Sequence, residues 1–184
     1  PINLGYSASG IVKEVGDDVT KFAVGDRVAV YGAPYVGHRE YLSVPETLVA
    51  KVPESVKLEE AAMAGLGAIA LHGLRQGDMH FGEVCVVVGL GIYGQLIAQI
   101  AQNAGMVVLG LNRSKPRADL LNKVSGIECF TDEEELSIRI REITGGKGAD
   151  TVFLCAGGKV SPLTNQSFTW LRDRGTSVIV GDIE

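Results

Sequence analysis

Residues 84–88, Val-Cys-Val-Val-Val, run without interruption into Gly89-Leu90-Gly91-Ile92-Tyr93-Gly94 and then into the helical pattern "QLIAQIAQNAG". Every position of the first run is apolar, so the strand it predicts is covered on both faces. The spacing G-x-G-x-x-G is a weak signal alone; between a buried strand and the start of a helix it becomes specific. Gly89 makes the tight turn, Gly91 lets a pyrophosphate reach the backbone, and Gly94 lets helix and strand pack closely. The helix N-terminus adds unpaired N–H groups and a partial positive charge for the phosphates. The loop Gly89, Leu90, Gly91, Ile92, Tyr93, Gly94 is therefore the first candidate binding site, for a dinucleotide.

The chain downstream repeats the alternation. "MVVLGLN" predicts a second strand, "PRADLLNKV" a helix and "IECF" a short third strand. "TDEEELSIRIREITGG" reads as a helix opened by a capping box of Thr131 and Glu134 and closed by Gly145. "ADTVFLCAGG" and "TSVIVGD" add two strands with a helix between them. Apolar strands separated by single helices give a parallel sheet covered on both sides. A doubly wound Rossmann domain is expected over residues 63–184. It is expected to be incomplete, because five strands are readable, ending at Gly181, where the usual dinucleotide fold has six.

Residues 1–62 have another texture. "SGIVKEVG" and "GDRVAVYG" are strand-like runs closed by glycine, and "EYLSVP" ends on a proline suited to a strand edge. The expectation there is part of a β domain. The stretch "KLEEAAMAGLGAIALHGLRQG" follows with helical length, although Gly65, Gly67 and Gly73 each weaken a helix by up to about 1 kcal/mol relative to alanine.

Composition narrows the class of partner. A net charge of −5 argues against nucleic acid or an anionic membrane, and no apolar stretch approaches the roughly 20 residues that span a bilayer. The chain opens on Pro1 with no signal-peptide pattern; it is expected to be a piece of a longer protein. Cys85, Cys129 and Cys155 are far apart in apolar runs without any C-x-x-C, which fits free thiols in a reducing, cytoplasmic setting.

The end of the second strand bears on which dinucleotide is bound. An acid about 20 residues beyond the glycine loop binds the ribose hydroxyls of NAD and repels an added phosphate. This chain has Asn112 there, followed by Arg113, Ser114, Lys115 and Arg117. An amide removes the repulsion, and a guanidinium grips a 2′-phosphate with two hydrogen bonds. NADP(H) is expected in preference to NAD(H). The other reading of these cations is a solvated helix start.

The stretches "GIVKEVGDDVTKFAVGDRVAV" (10–30), "EYLSVP" (40–45), "LEEAAMAGLGAIALHGLR" (58–75), "VVVGLGIYGQLIAQIA" (86–101) and "GADTVFLCAGG" (148–158), in this order, resemble the medium-chain dehydrogenase/reductase superfamily of alcohol dehydrogenases and quinone oxidoreductases. The resemblance implies part of a GroES-like catalytic domain followed by a Rossmann cofactor domain. It implies a small-molecule substrate in the cleft between them, cofactor contacts from Cys155, Ala156 and Gly157, and a homodimer or homotetramer of the full-length protein. In zinc-using members a Gly-His-Glu stretch and a cysteine or glutamate further on hold the metal. The matching residues here are Gly5-Tyr6-Ser7 and Gly65, and only "YGAPYV" separates Val30 from Gly37, where such members carry a cysteine-rich lobe. No zinc is expected.

Without a metal, a hydrogen-bond donor has to polarise the carbonyl or enone that accepts hydride. Tyr6 and Ser7 stand next to the lost ligand and are the candidate donors; a packed strand tyrosine with a satisfied hydroxyl is the competing reading. His38, in the loop before "EYLSVP", is a candidate for lining the cleft or relaying a proton. The expected function is a zinc-independent, NAD(P)H-dependent oxidoreductase acting on a small alcohol/carbonyl pair or an activated alkene. The alternatives are a nucleotide-binding sensor or scaffold without turnover, and an ordinary zinc alcohol dehydrogenase.

Overall fold

The structure is a computed structural model that describes residues 4–158 and 161–182. It divides into two compact units, residues 1–68 and 69–184.

The first unit contains a three-stranded antiparallel sheet of β1 (Ser7–Ile11), β2 (Arg27–Tyr31) and β3 (Val49–Lys51), in that order. Val28, Val30 and Val36 are its buried centre, flanked by Ala8, Val12, Phe22, Leu42, Val44 and Val49. Arg27 ties the segment after β3 to the sheet, donating from its guanidinium to the carbonyls of Pro53 and Val56. The segment "EYLSVP", expected as a strand, is irregular up to a single 3-10 turn at Glu46–Leu48. Its alternation has a different cause: Leu42 and Val44 lean on the apolar centre while Tyr41 is exposed, and no ladder is needed for that.

The helix expected from Leu58 onward is two helices, α1 (Leu58–Ala61) and α2 (Ala64–Gln76). Two carbonyls of the first piece are claimed from β1: Ser7 Oγ donates to Ala62 O at 2.6 Å, and Ser9 Oγ donates to Leu58 O. The division between the units falls inside α2.

The second unit is a five-stranded sheet, parallel throughout, in the order β6-β5-β4-β7-β8. Its strands are β4 (Val84–Val88), β5 (Val107–Leu111), β6 (Glu128–Phe130), β7 (Ala149–Leu154) and β8 (Leu171–Ile179), connected through α3 (Ile92–Asn103), α4 (Lys115–Ser125), α5 (Glu133–Thr144) and α6 (Ser161–Phe168). This is the doubly wound arrangement expected from the sequence. Strand β4 shows why its sequence is apolar at every position. Cys85 and Val87 join one core with Ile97, Ala98, Ala101 and Leu121, while Val84, Val86 and Val88 join the other with Leu136, Ile140 and Trp170. Full burial of each such side chain is worth about 1.5–3 kcal/mol.

Helix ends follow local chemistry. Gly126 and Gly145 sit at positive φ after α4 and α5, as left-handed caps. The N-cap of α5 is Asp132 rather than the expected Thr131: the Asp132 carboxylate accepts from Glu134 N–H and Glu135 N–H at 2.9 and 3.0 Å. Either residue type caps well, and a carboxylate also complements the helix dipole. Among the described residues no helix is long and apolar enough to cross a membrane.

Candidate functional site

The order of the second sheet reverses between β4 and β7, and the crevice of a doubly wound fold opens beyond the C-terminal ends of such a strand pair. The glycine loop follows β4 there, and Cys155, Ala156 and Gly157 follow β7. The two segments touch backbone to backbone. Gly89 has φ +90°, and a Cβ on it would lie 2.5 Å from Ala156 N. A Cβ on Gly94 would collide with Gly89 O, whereas one on Gly91 would meet nothing within 4 Å. Gly89 and Gly94 are thus required by the protein itself, and Gly91 leaves open space over the start of α3. Leu90 is buried, Ile92 is exposed and Tyr93 is half-buried.

Cys155 N–H donates to Val88 O at 2.8 Å, and burial pushes its thiol up to about 12. The thiol packs against the core that holds Cys85 and Val87 and is uncharged at neutral pH. Gly157 approaches Asp182, and Gly158 N–H donates to Asp182 O at 2.8 Å.

The segment after β5 is held against the same loop. Asn112 Oδ1 accepts from Leu90 N–H at 2.9 Å, and its Nδ2 donates to Ser114 O at 3.1 Å. Ser114 is the N-cap of α4. Arg113 and Arg117 are exposed, and among the described residues neither has an ion-pair partner, while Lys115 pairs with Asp119 at 3.2 Å. The first turn of α4 carries no acid. Gln95, which the sequence did not single out, donates to Arg117 O at 3.0 Å.

In the first unit, the His38 ring lies against Gly5, which precedes Tyr6 and Ser7 in the chain. Gly5 has φ +83°, and the His38 imidazole lies where a Cβ on Gly5 would be. His38 N–H donates to Leu4 O at 2.8 Å. The Tyr6 ring stands edge-on to Tyr31, with centroids 6.0 Å apart and planes at 81°. Ser7 Oγ gives its proton to Ala62 O. Tyr31 is a neighbour that the sequence did not reveal. A Cβ on Gly65 would collide with the Tyr31 ring and lie 2.8 Å from Ser7 Oγ.

Comparison with known proteins identifies this arrangement. Residues 1–54 match the alcohol dehydrogenase GroES-like domain family, and residues 93–183 match the zinc-binding dehydrogenase family. The probable D-xylulose reductase A of Emericella nidulans is 30% identical over 97% of this chain and 58% of its own length. The probable quinone oxidoreductase of Schizosaccharomyces pombe is 34% identical over 97% of this chain and 54% of its own.

The chain belongs to the medium-chain dehydrogenase/reductase superfamily.

A mycobacterial protein solved in complex with NADPH overlays with a TM-score of 0.79 at 30% identity, covering 97% of this chain and 56% of that one. The chain thus spans little more than half the length of these relatives. As a medium-chain dehydrogenase/reductase it would be expected to carry metal ligands at positions 6 and 65 if it used zinc. A tyrosine and a glycine stand there, and the Tyr31 ring leaves no room for a side chain at 65. Among the described residues no three His, Cys, Asp or Glu side chains gather around one point. A tyrosine and a glycine at these two positions do not supply the nitrogen, sulfur or carboxylate donors that a tetrahedral zinc site takes.

Proposed function

We propose that the protein is a zinc-independent oxidoreductase that prefers NADP(H) and acts on a small alcohol/carbonyl pair or an activated alkene. The bound nicotinamide would supply hydride chemistry. The chain's residues would bind and orient it: Gly89, Leu90, Gly91, Ile92, Tyr93 and Gly94 along the pyrophosphate, Cys155, Ala156 and Gly157 along the other half, and Asn112, Arg113, Ser114 and Arg117 around the adenosine ribose.

The observation that carries the cofactor preference is the pair of exposed guanidiniums, Arg113 and Arg117, without ion-pair partners among the described residues, at a helix start without acids. Cations at a helix N-terminus oppose its dipole, and a 2′-phosphate relieves that. Support for independence from zinc comes from Tyr31 beside Gly65 and from Tyr6 at the other ligand position. Tyr6 and Ser7 are the candidate hydrogen-bond donors to a substrate oxygen, and the Ser7 hydroxyl would have to leave Ala62 O to serve. His38, exposed beside Gly5, is the candidate proton relay.

The test is NADPH consumption by the full-length protein, treated with a chelator, against a panel of aldehydes, ketones, enones and quinones. Turnover that survives chelation supports the proposal. Tight nucleotide binding with no turnover on any member would instead make the protein a sensor or scaffold, and turnover abolished by chelation and restored by zinc would contradict independence from the metal.

A further inference from the structure

We propose that Asn112 and Gln95 are positioning residues that fix Arg113 and Arg117 relative to the glycine loop and thereby set the preference for a 2′-phosphorylated cofactor; this rests on the NADP(H) reading above. The two amides make a continuous bridge. From the end of β5, Asn112 accepts from Leu90 N–H at 2.9 Å and donates to Ser114 O at 3.1 Å. Ser114 O also accepts from Arg117 N–H at 3.1 Å, so the same carbonyl starts α4. From the first turn of α3, Gln95 Nε2 donates to Arg117 O at 3.0 Å and reaches Leu90 O at 3.5 Å. Arg113 is therefore held between two anchored residues, and Arg117 bears an anchored carbonyl.

The chemistry of position 112 follows from this bridge. Its side chain has to accept at one end and donate at the other, which an amide does and a carboxylate does not. Aspartate would keep the Leu90 contact but set a second anionic oxygen against Ser114 O. An aliphatic residue would leave the N–H of Leu90, whose side chain is buried, without its acceptor, a loss of the kind that buried donors tolerate poorly. Pre-organising the backbone that carries both guanidiniums reduces the ordering needed when they close on a phosphate.

The experiment measures binding of 2′,5′-ADP and of 5′-AMP to the protein by titration calorimetry, in the unaltered form and in Asn112→Ala, Arg113→Ala and the double variant. The unaltered protein is expected to bind 2′,5′-ADP more tightly. Asn112→Ala is expected to cut that ratio about tenfold, the worth of one charge-assisted hydrogen bond. In the Arg113→Ala background the same substitution should have little further effect on the ratio, since it acts through that guanidinium. Gln95→Met makes the parallel test with Arg117→Ala and keeps the inference open to refutation if Asn112→Ala does not fold. A ratio unchanged in Asn112→Ala or Gln95→Met, or effects that simply add to those of the arginine variants, would overturn the inference alone. No preference for 2′,5′-ADP in the unaltered protein would overturn the cofactor reading and this inference with it.

Discussion

The Tyr31 ring occupies the place that any side chain at Gly65 would need. The atoms in the way, Cγ and Cδ2, are close to the Tyr31 backbone and are not the movable tip of the side chain. Gly65→Ala is therefore expected to destabilise the protein by about 1–3 kcal/mol, the range for forced overpacking. The urea midpoint measures this. Gly65→Ala combined with Tyr31→Ala should be less destabilised than the sum of the two single variants. Strict additivity would show that the two positions are not in steric conflict.

Gly94→Ala should lower the stability of the free protein more than Gly91→Ala does. At 94 the added methyl meets Gly89 O, so helix α3 has to move off the loop. At 91 it meets nothing within 4 Å. The expected pattern is a lowered melting temperature for Gly94→Ala, and for Gly91→Ala a nearly unchanged melting temperature with weakened nucleotide binding, because a ligand would occupy that space. Thermal unfolding with and without nucleotide separates the two effects.

Asp132→Ala should cost about 1 kcal/mol through loss of the α5 cap, while Thr131→Ala should be close to neutral. Denaturant unfolding of both variants checks which residue caps the helix. The reverse order would restore the capping box as the working arrangement.

The thiols give a pH prediction. Burial is the main cause that raises Cys85 and Cys155 to about 12 and Cys129 to about 11, against an ordinary value of 9.0. In the folded protein these groups hold protons that the unfolded chain releases. Their contribution to stability is thus complete below about pH 9 and is lost as pH rises through the folded values near 11 and 12. Thiol reagents at pH 8 should label the native protein far more slowly than the urea-unfolded chain. Rapid native labelling at Cys85 or Cys155 would contradict the burial.

Much of this architecture is local enough to be read from the chain. Strand β4 is apolar on both faces because both faces are buried, and Gly126 and Gly145 end their helices by a conformation that favours glycine. The glycine loop was legible because Gly89, Gly91 and Gly94 need only their own strand and helix to be interpreted. What stayed hidden depends on partners far along the chain. Asn112 meets Leu90 across 22 residues, and Ser7 meets Ala62 across 55. Tyr31 faces Gly65 only after β1, β2 and α1 have assembled. The segment "EYLSVP" misled because apolar alternation reports burial, and Leu42 and Val44 find burial without a ladder.

The most direct test of the central claim is a side-by-side titration with NADPH and NADH, followed by nucleotide fluorescence, on the unaltered protein and on Arg113→Ala. NADPH is expected to bind about 10- to 100-fold more tightly, as charge-assisted hydrogen bonds to a phosphate allow, and Arg113→Ala should remove most of that difference while leaving NADH binding nearly unchanged. Equal affinities, or tighter binding of NADH, would contradict the account.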